Sequence, residues 1–316
     1  MSAVSVRVES VTKRFSGHTA VRDLSMEIAA GGIFGLLGPN GAGKTTTIRL
    51  IMGILEPDLG KVVLFGSGHG SRRLSQRIGY LPEERGLYKK MKVLDHLIFL
   101  GETKGIGRAD ARRRAQAWLD RLGVGDWALK KVEDLSKGMQ QKVQFAGALL
   151  HEPELVILDE PFSGLDPVNA QVMKDIVVAI AAEGRTVLFS THVMEQAERM
   201  CDRIAIIARG ETVVSGTLAQ VKADFGGRHV ALGFTHDKAR AERILADRAL
   251  VARIDDYGAS AELQMADGAD PGQLLASLVG EGVGLRRFEV VEPSLHAIFI
   301  ARVGADAATA HAGEAA

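Results

Sequence analysis

The chain has 316 residues, of which 46% are hydrophobic and 25% charged, enough for one large core and a smaller second domain. Basic and acidic residues balance at 39 each, whereas nucleic-acid-binding proteins usually carry a basic excess, so we expect no nucleic-acid partner. The one cysteine, Cys201, excludes an internal disulfide and suits a reducing compartment.

The N-terminal residues and the apolar runs bear on targeting. MSAVSVRVES lacks the basic region and apolar core of a signal peptide. No apolar run reaches the roughly 18 residues that a membrane helix needs. The sequence therefore predicts a chain with no membrane segment of its own.

Strand and helix patterns alternate over the first two thirds of the chain. Strands are predicted at 4–11 and 24–28, followed by an apolar strand, a glycine-rich turn and a helix that ends near Pro57. Two short strands, KVVLF and RIGYL, precede a helical region at about 91–150, where one helix carries an apolar stripe and turns arginines 112–114 to solvent. Strands ELVILDEP and RTVLFST, each followed by a helix, and a final hairpin complete a mainly parallel sheet covered by helices.

Composition changes near residues 225–227, which predicts a linker between a first domain, 1–225, and a second domain, 226–303. Patterns in the second domain follow a β-α-β-β-α-β order and then a short helix. That order is typical of a small α+β domain with the ferredoxin-like fold. Residues 304–316 are rich in alanine and glycine and are predicted to form a disordered tail.

A glycine-rich motif, GPNGAGKTT, lies between the third predicted strand and its helix. Glycines let successive backbone N–H groups surround a phosphate, and the helix adds its positive N-terminal end. Lys44 can reach the β and γ phosphates, and the Thr45 hydroxyl can bind Mg²⁺. The alternative is a chance match, which the strand before and the helix after make much rarer. The predicted nucleotide-binding residues are Gly38, Pro39, Asn40, Gly41, Ala42, Gly43, Lys44, Thr45 and Thr46.

An apolar strand ends in two acids, Asp159 and Glu160. Asp159 can hold Mg²⁺, and Glu160 can orient or deprotonate the attacking water. Acids often only cap the next segment, but their pairing with a phosphate loop predicts a catalytic site for a nucleoside triphosphate.

These motifs and their order resemble the ATP-binding subunits of ABC transporters over residues 4–218. The resemblance places an adenine-stacking aromatic at Phe15, for which the alternative is an ordinary core residue. His192 stands at the switch histidine. The signature LSKGMQ supplies Ser136, Lys137, Gly138, Met139 and Gln140, and the D-loop supplies Ser163, Gly164, Leu165 and Asp166.

The resemblance implies a P-loop NTPase fold of ABC type, with a mainly parallel sheet, an antiparallel β subdomain and a helical subdomain. It implies ATP and Mg²⁺ as cofactors, with Glu160, His192 and Lys44 as catalytic residues. Two such subunits, identical or different, would pack head to tail so that one signature contacts the ATP of the other. The pair would drive an integral membrane permease from the cytoplasmic face of the inner membrane. For Ser136 the simpler interpretation is a helix cap.

The sequence departs from the family pattern at two places. Lys137 and Met139 replace a glycine and a glutamine, while the serine and second glycine of the signature remain. In IGYLPEERGLYKKM, Glu83 stands where the family has a glutamine. We hypothesise that Glu83 is a metal-side ligand or sensor, and that the segment through Met91 contacts the permease. The alternative is a solvated acidic loop.

LPEERGLY, the signature and the C-terminal EPSLHAIFI look like the branch paired with ABC-2 type permeases, usually exporters. The second domain is a candidate for dimerisation or regulation. An alternative function is a soluble ABC ATPase acting on nucleic acid or ribosomes, but such proteins usually carry two nucleotide domains or a long coiled coil. An inactive scaffold would be expected to lack Lys44, Asp159, Glu160 or His192, and all four are present.

Overall fold

The structure is a computed structural model that describes residues 4–67, 72–84, 86–225, 228–236 and 238–304. The chain divides into two compact units, residues 1–216 and 217–316. The predicted linker at 226–227 and the predicted tail beyond Gly304 lie outside the described residues. Within the described part, no helix has the length and apolar character to cross a membrane.

An antiparallel sheet opens the first unit, with strand order β2-β1-β4. Apolar side chains of its strands alternate into a core shared with the larger sheet, as the pattern at 4–11 predicts. It matches the antiparallel β subdomain that the family resemblance implies. The strands are β1 (Val4–Phe15), β2 (His18–Ala29) and β4 (Leu59–Leu64).

A six-stranded sheet forms the centre of the first unit, in the order β5-β6-β7-β3-β8-β9. The ladders β5–β6, β6–β7, β7–β3 and β3–β8 are parallel, so the carboxyl ends of these strands share one edge. In open α/β sheets this edge is where ligands bind. The strands are β3 (Gly32–Leu37), β5 (Ile78–Leu81), β6 (Leu155–Asp159), β7 (Thr186–Thr191), β8 (Arg203–Ala208) and β9 (Glu211–Thr217).

Helices α3, α4 and α5 contact one another and form the predicted helical subdomain. In α4 the predicted stripe is buried at Ala111, Ala115 and Leu119, while Arg112 and Arg113 are exposed. Helix α1 ends at Ile51 rather than near Pro57, because Gly53 takes a left-handed conformation with φ of 67°. The helices are α1 (Lys44–Ile51), α2 (Arg72–Gln76), α3 (Val93–Thr103), α4 (Arg108–Arg121), α5 (Lys137–Leu149), α6 (Pro167–Ala182) and α7 (Met194–Met200).

The second unit contains a four-stranded antiparallel sheet in the order β11-β12-β10-β13. With α9 and α10 in the crossovers, this is the strand order of the ferredoxin-like fold, which confirms the predicted pattern. Helix α8 was not predicted. The elements are α8 (Leu218–Phe225), β10 (His229–His236), α9 (Lys238–Leu245), β11 (Val251–Asp256), β12 (Ser260–Met265), α10 (Pro271–Gly280), β13 (Gly284–Val291) and α11 (Leu295–Val303).

Candidate active site

The phosphate loop joins β3 to α1 and needs glycine at two positions. A Cβ on Gly38 would lie 2.2 Å from the carbonyl oxygen of Ile207. Gly43 has a φ of 105°, and a Cβ there would lie 2.5 Å from the carbonyl oxygen of Ala20. Only glycine fits such close backbone packing. The loop therefore delivers the N-terminus of α1, with its free N–H groups, to the carboxyl edge of the sheet.

The ammonium group of Lys44 lies across the phosphate loop. Its Nζ donates to the carbonyls of Gly38, at 2.8 Å, and Pro39, at 3.1 Å. The same nitrogen lies 3.4 Å from Oε1 of Glu160, and the lysine side chain is only 6% exposed. The loop thus carries a buried positive charge that faces the carboxylate of Glu160, the residue directly after β6.

Asp159 is fully buried at the end of β6, and the parallel register places it opposite Ser190 of β7. Ser190 Oγ donates to Asp159 Oδ1 at 2.5 Å. Burial raises the pKa of Asp159, while hydrogen bonds from Ser190 and Thr45 oppose that rise. Among the described residues, Asp159 Oδ2 is buried with no hydrogen-bond partner.

Glu160 follows directly but faces other partners, because its backbone turns with a φ of 47°. Its carboxylate oxygens each lie 3.1 Å from Nδ1 of His192. Its backbone N–H donates to Ser190 Oγ at 3.1 Å. With Lys44 on the other side, the carboxylate sits between an ammonium group and an imidazole.

The oxygens around Asp159 suit a small divalent cation. Asp159 offers an unpartnered buried oxygen, and Thr45, the first loop hydroxyl after Lys44, is close enough to the same carboxyl group to oppose the rise of its pKa. Nowhere in the described ranges do three or more His, Cys, Asp or Glu side chains form a metal cluster. An ion here would take few ligands from the protein and the rest from water and phosphate, which is how Mg²⁺ usually binds with nucleotides.

A cavity of about 450 Å³ opens beside the phosphate loop. Phe15 borders it with 47% of its surface exposed, so the alternative of an ordinary core phenylalanine is wrong. The Lys13 ammonium lies 5.8 Å from the centre of the Phe15 ring. Glu83 also lines the cavity. The other lining residues are His18, Ala20, Asn40, Gly41, Gly43, Lys44, Thr45, Thr46 and Glu160.

The signature and D-loop residues do not line this cavity. Ser136 and Lys137 are exposed at the start of α5, and Ser136 Oγ caps the helix by accepting from the Met139 N–H at 3.3 Å. Gly138 adjoins the D-loop, since a Cβ on it would lie 3.5 Å from Leu165 Cδ2. The Gln140 amide is used internally, donating to carbonyls of the preceding loop.

The D-loop continues into α6. Ser163 and Gly164 are exposed, and the Asp166 carboxylate caps the helix by accepting from the N–H groups of Val168 and Asn169. These hydrogen bonds hold the pKa of Asp166 below its usual range. The signature and the D-loop thus form one exposed edge apart from the phosphate loop.

Sequence patterns missed two residues of the site. Ser190 joins Asp159 to Glu160, and its only signal was a hydroxyl at the end of a buried strand. His18 borders the cavity because the tight turn at Gly17 pairs it with Phe15 across β1 and β2. The turn itself, SG before a histidine, was the available signal.

A buried strand, a glycine-rich loop and a helix, with an acidic strand beside them, define a P-loop nucleoside-triphosphate-binding domain. The ABC transporter family matches residues 21–163. The C-terminal domain family of ATP-binding proteins like DrrA1-3 matches residues 216–303.

Relatives match nearly the whole chain. The ABC transporter ATP-binding protein YhaQ of Bacillus subtilis is 44% identical over 94% of this chain and 98% of its own length. The daunorubicin/doxorubicin resistance ATP-binding protein DrrA of Streptomyces peucetius is 32% identical over 95% of this chain and 92% of its own. The linearmycin resistance ATP-binding protein LnrL of Bacillus subtilis is 32% identical over 95% and 98%.

A solved ATP-binding subunit of an ABC transporter superposes with a TM-score of 0.66 at 32% identity, covering 70% of this chain and 93% of that one. The chain belongs to the family of ABC transporter ATP-binding proteins, and its first unit is an ATP-binding domain.

Proposed function

We propose that the chain hydrolyses ATP to power export through a separate membrane permease. The observation that carries the hydrolytic part is the position of Glu160 between Lys44 and His192 at the rim of the cavity. A carboxylate held from both sides can orient an attacking water and accept its proton. His192 Nδ1 keeps that carboxylate in place, and Lys44 supplies positive charge to the phosphates.

Binding of ATP follows from the residues around the cavity. The exposed ring of Phe15 offers a face for adenine, and the loop N–H groups with the N-terminus of α1 receive the phosphates. Thr45 and Asp159, with Glu83 as a further candidate, would hold Mg²⁺. The ion supplies charge neutralisation on the β and γ phosphates. Asn40, Gly41 and Thr46 line the same space.

The exposed edge formed by the signature and D-loop supports a two-subunit site. Ser136 and the N–H of Gly138 stand at the N-terminus of α5, a place that suits an anion. Because this edge does not line the chain's own cavity, we propose that it meets the γ-phosphate bound by a second subunit. That subunit is either a second copy of this chain or a related one.

The names of the relatives support the transport part of the proposal. Two of them are resistance ATP-binding proteins, for daunorubicin/doxorubicin and for linearmycin, and both match 95% of this chain, which takes in most of the second unit. We therefore propose export through an ABC-2 type permease, with this subunit docked on the cytoplasmic face of the membrane. The segment that follows Glu83, through Met91, is the proposed contact with that permease, while Glu83 itself is the proposed metal-side ligand or sensor.

A pair of variants tests the shared site. Glu160→Gln keeps the shape of the side chain but removes the proton acceptor, so with ATP and Mg²⁺ we expect a trapped dimer without turnover. Lys44→Ala is the matched control, because it removes the phosphate contact and should stay monomeric. Light scattering after gel filtration distinguishes the two. A Glu160→Gln protein that remains monomeric under these conditions contradicts shared-site hydrolysis.

Cell fractionation tests the partner. We expect the chain in the membrane fraction only when its permease is co-expressed. In a separate assay, Glu83→Ala should reduce both ATPase activity and transport. Sedimentation that depends on RNA would instead favour the ribosome- or nucleic-acid-associated ATPase. Wild-type ATPase and transport in Glu83→Ala would exclude the role proposed for Glu83.

A further inference from the structure

The segment that carries Glu83 leaves the sheet at its edge. Strand β5 is the last strand on that side and pairs with β6 only up to Leu81. Pro82 comes next, and proline has no N–H with which to extend the ladder. The backbone around Glu83 therefore depends on groups outside the sheet for its position.

Gln144 of α5 supplies those groups. Its Nε2 donates to the carbonyl of Pro82 at 3.3 Å and to the carbonyl of Glu84 at 3.0 Å. One amide nitrogen carries two N–H donors, so a single side chain holds the backbone on both sides of Glu83. The side chain is 7% exposed.

The same side chain carries an energetic cost. Within the described part of the chain, Gln144 Oε1 is buried without a hydrogen-bond partner. A buried acceptor left unpaired is unfavourable, and a hydrocarbon side chain of the same length would avoid it. The two hydrogen bonds that Gln144 donates therefore explain a glutamine at this position better than packing does.

Gln141 makes a parallel contact one turn earlier on α5. Its Nε2 donates to the carbonyl of Pro161 at 3.3 Å, directly after Glu160. Residues three apart share a helix face, so Gln141 and Gln144 point to the same side. The helix begins at Lys137 of the signature, and Ser136 is its N-cap. One helix therefore connects the signature to the backbone beside Glu160 and to the backbone on both sides of Glu83.

We propose that Gln144 is a positioning residue that fixes Glu83 relative to the signature helix. A shift of α5, when Ser136 engages nucleotide on a second subunit, is passed through Gln144 to the carbonyls flanking Glu83. This inference rests on the proposed function, because it needs the signature to meet a second nucleotide and Glu83 to face the first.

Two variants of the full-length protein form the test. Gln144→Met keeps the length of the side chain and removes both donors. Gln144→Leu is the second variant, since its side chain also has no donor. The matched control is Lys142→Met on the same helix, because Lys142 is 8% exposed and donates to the Leu122 carbonyl, away from the acids.

The first measurement is hydrogen–deuterium exchange of peptides spanning residues 78–91, which does not depend on ATPase activity. Loss of two hydrogen bonds should make this segment exchange about fivefold faster in both Gln144 variants. The Lys142→Met control should match the wild type there. Unchanged exchange in Gln144→Met overturns the inference, whatever the ATPase activity.

The second measurement is a double-mutant cycle on ATPase turnover with Glu83→Ala. We expect Gln144→Met to lower kcat about tenfold with KM for ATP within about twofold. In the Glu83→Ala background it should add almost nothing. Additive effects overturn the inference while leaving hydrolysis intact. If the wild type is no faster than Lys44→Ala, the proposed function fails, and the exchange data alone decide on Gln144.

Discussion

Ser190→Ala removes the hydroxyl that joins the two acids of the site. Ser190 Oγ donates to the buried carboxylate of Asp159 and accepts from the Glu160 N–H. A hydrogen bond to a buried charged group contributes about 1.5–3 kcal/mol. For a unit of this size a loss of about 2 kcal/mol lowers Tm by about 4–8 °C. Thermal unfolding of the full-length variant measures the change.

The effect of Ser190→Ala on stability should depend on pH in a direction that follows from the pKa of Asp159. Burial raises the pKa of Asp159 above its ordinary value of 3.8, so the folded state binds this proton more tightly than the unfolded state. The charged form of Asp159 therefore lowers the free energy of unfolding at pH values above its folded-state pKa. This destabilisation disappears as the pH falls and the carboxyl group is protonated. The bond from Ser190 favours the charged form. Removing this hydrogen bond should therefore lower the Tm most at alkaline pH. The difference in Tm between Ser190→Ala and the wild type should become smaller as the pH falls.

Ser25→Ala is the matched control, because it deletes the same hydroxyl at an exposed position where the partner is the neutral N–H of Ser10. We expect it to lower Tm by less than about 2 °C at every pH. A Ser190→Ala protein with the Tm of the wild type at pH about 8 would refute the reasoning. So would a Tm gap that does not narrow as the pH is lowered from about 8 to the acid limit of the folded state.

Three further substitutions test separate parts of the site. Gly43→Ala should abolish binding of a fluorescent ATP analogue, because its Cβ would clash with the Ala20 carbonyl oxygen. Gly184→Ala is the control, since Gly184 also has a positive φ but a Cβ there has no neighbour within 4 Å, and this variant should bind the analogue normally. Phe15→Ala should weaken ATP affinity about tenfold in calorimetry while Phe15→Tyr retains it, and equal affinity for both would exclude stacking. His192→Ala should lower kcat about a hundredfold with ATP affinity within about twofold, so a parallel loss of binding would contradict a role in positioning the acid.

Local signals in the sequence predicted the parts of the site that lie within one strand–turn–helix. The apolar run before Gly38 and the apolar run before Asp159 identify two buried strands, and parallel strands bring their carboxyl ends to one edge. The β-α-β-β-α-β order likewise predicted the sheet of the second unit, because crossover rules leave few topologies.

Contacts set by long-range register could not be predicted in the same way. Ser190 lies opposite Asp159 only through the pairing of β6 with β7, and His18 reaches the cavity only through the pairing of β1 with β2. From the sequence, Gln144 is one polar residue of an amphipathic helix, and only the tertiary structure places the segment after β5 beside it. In each case the chemistry is visible in the sequence, but the partner is supplied by the tertiary structure.

The adjacent acids show how one dipeptide obtains two roles. Asp159 continues the strand, so it takes its register partner Ser190 and is fully buried. Glu160 has a φ of 47°, which turns its side chain out of the strand toward Lys44 and His192. Neighbouring carboxylates with separate partners can serve as metal ligand and proton acceptor without competing for the same groups. The positive φ at Glu160 is therefore the backbone feature on which the proposed division of labour depends.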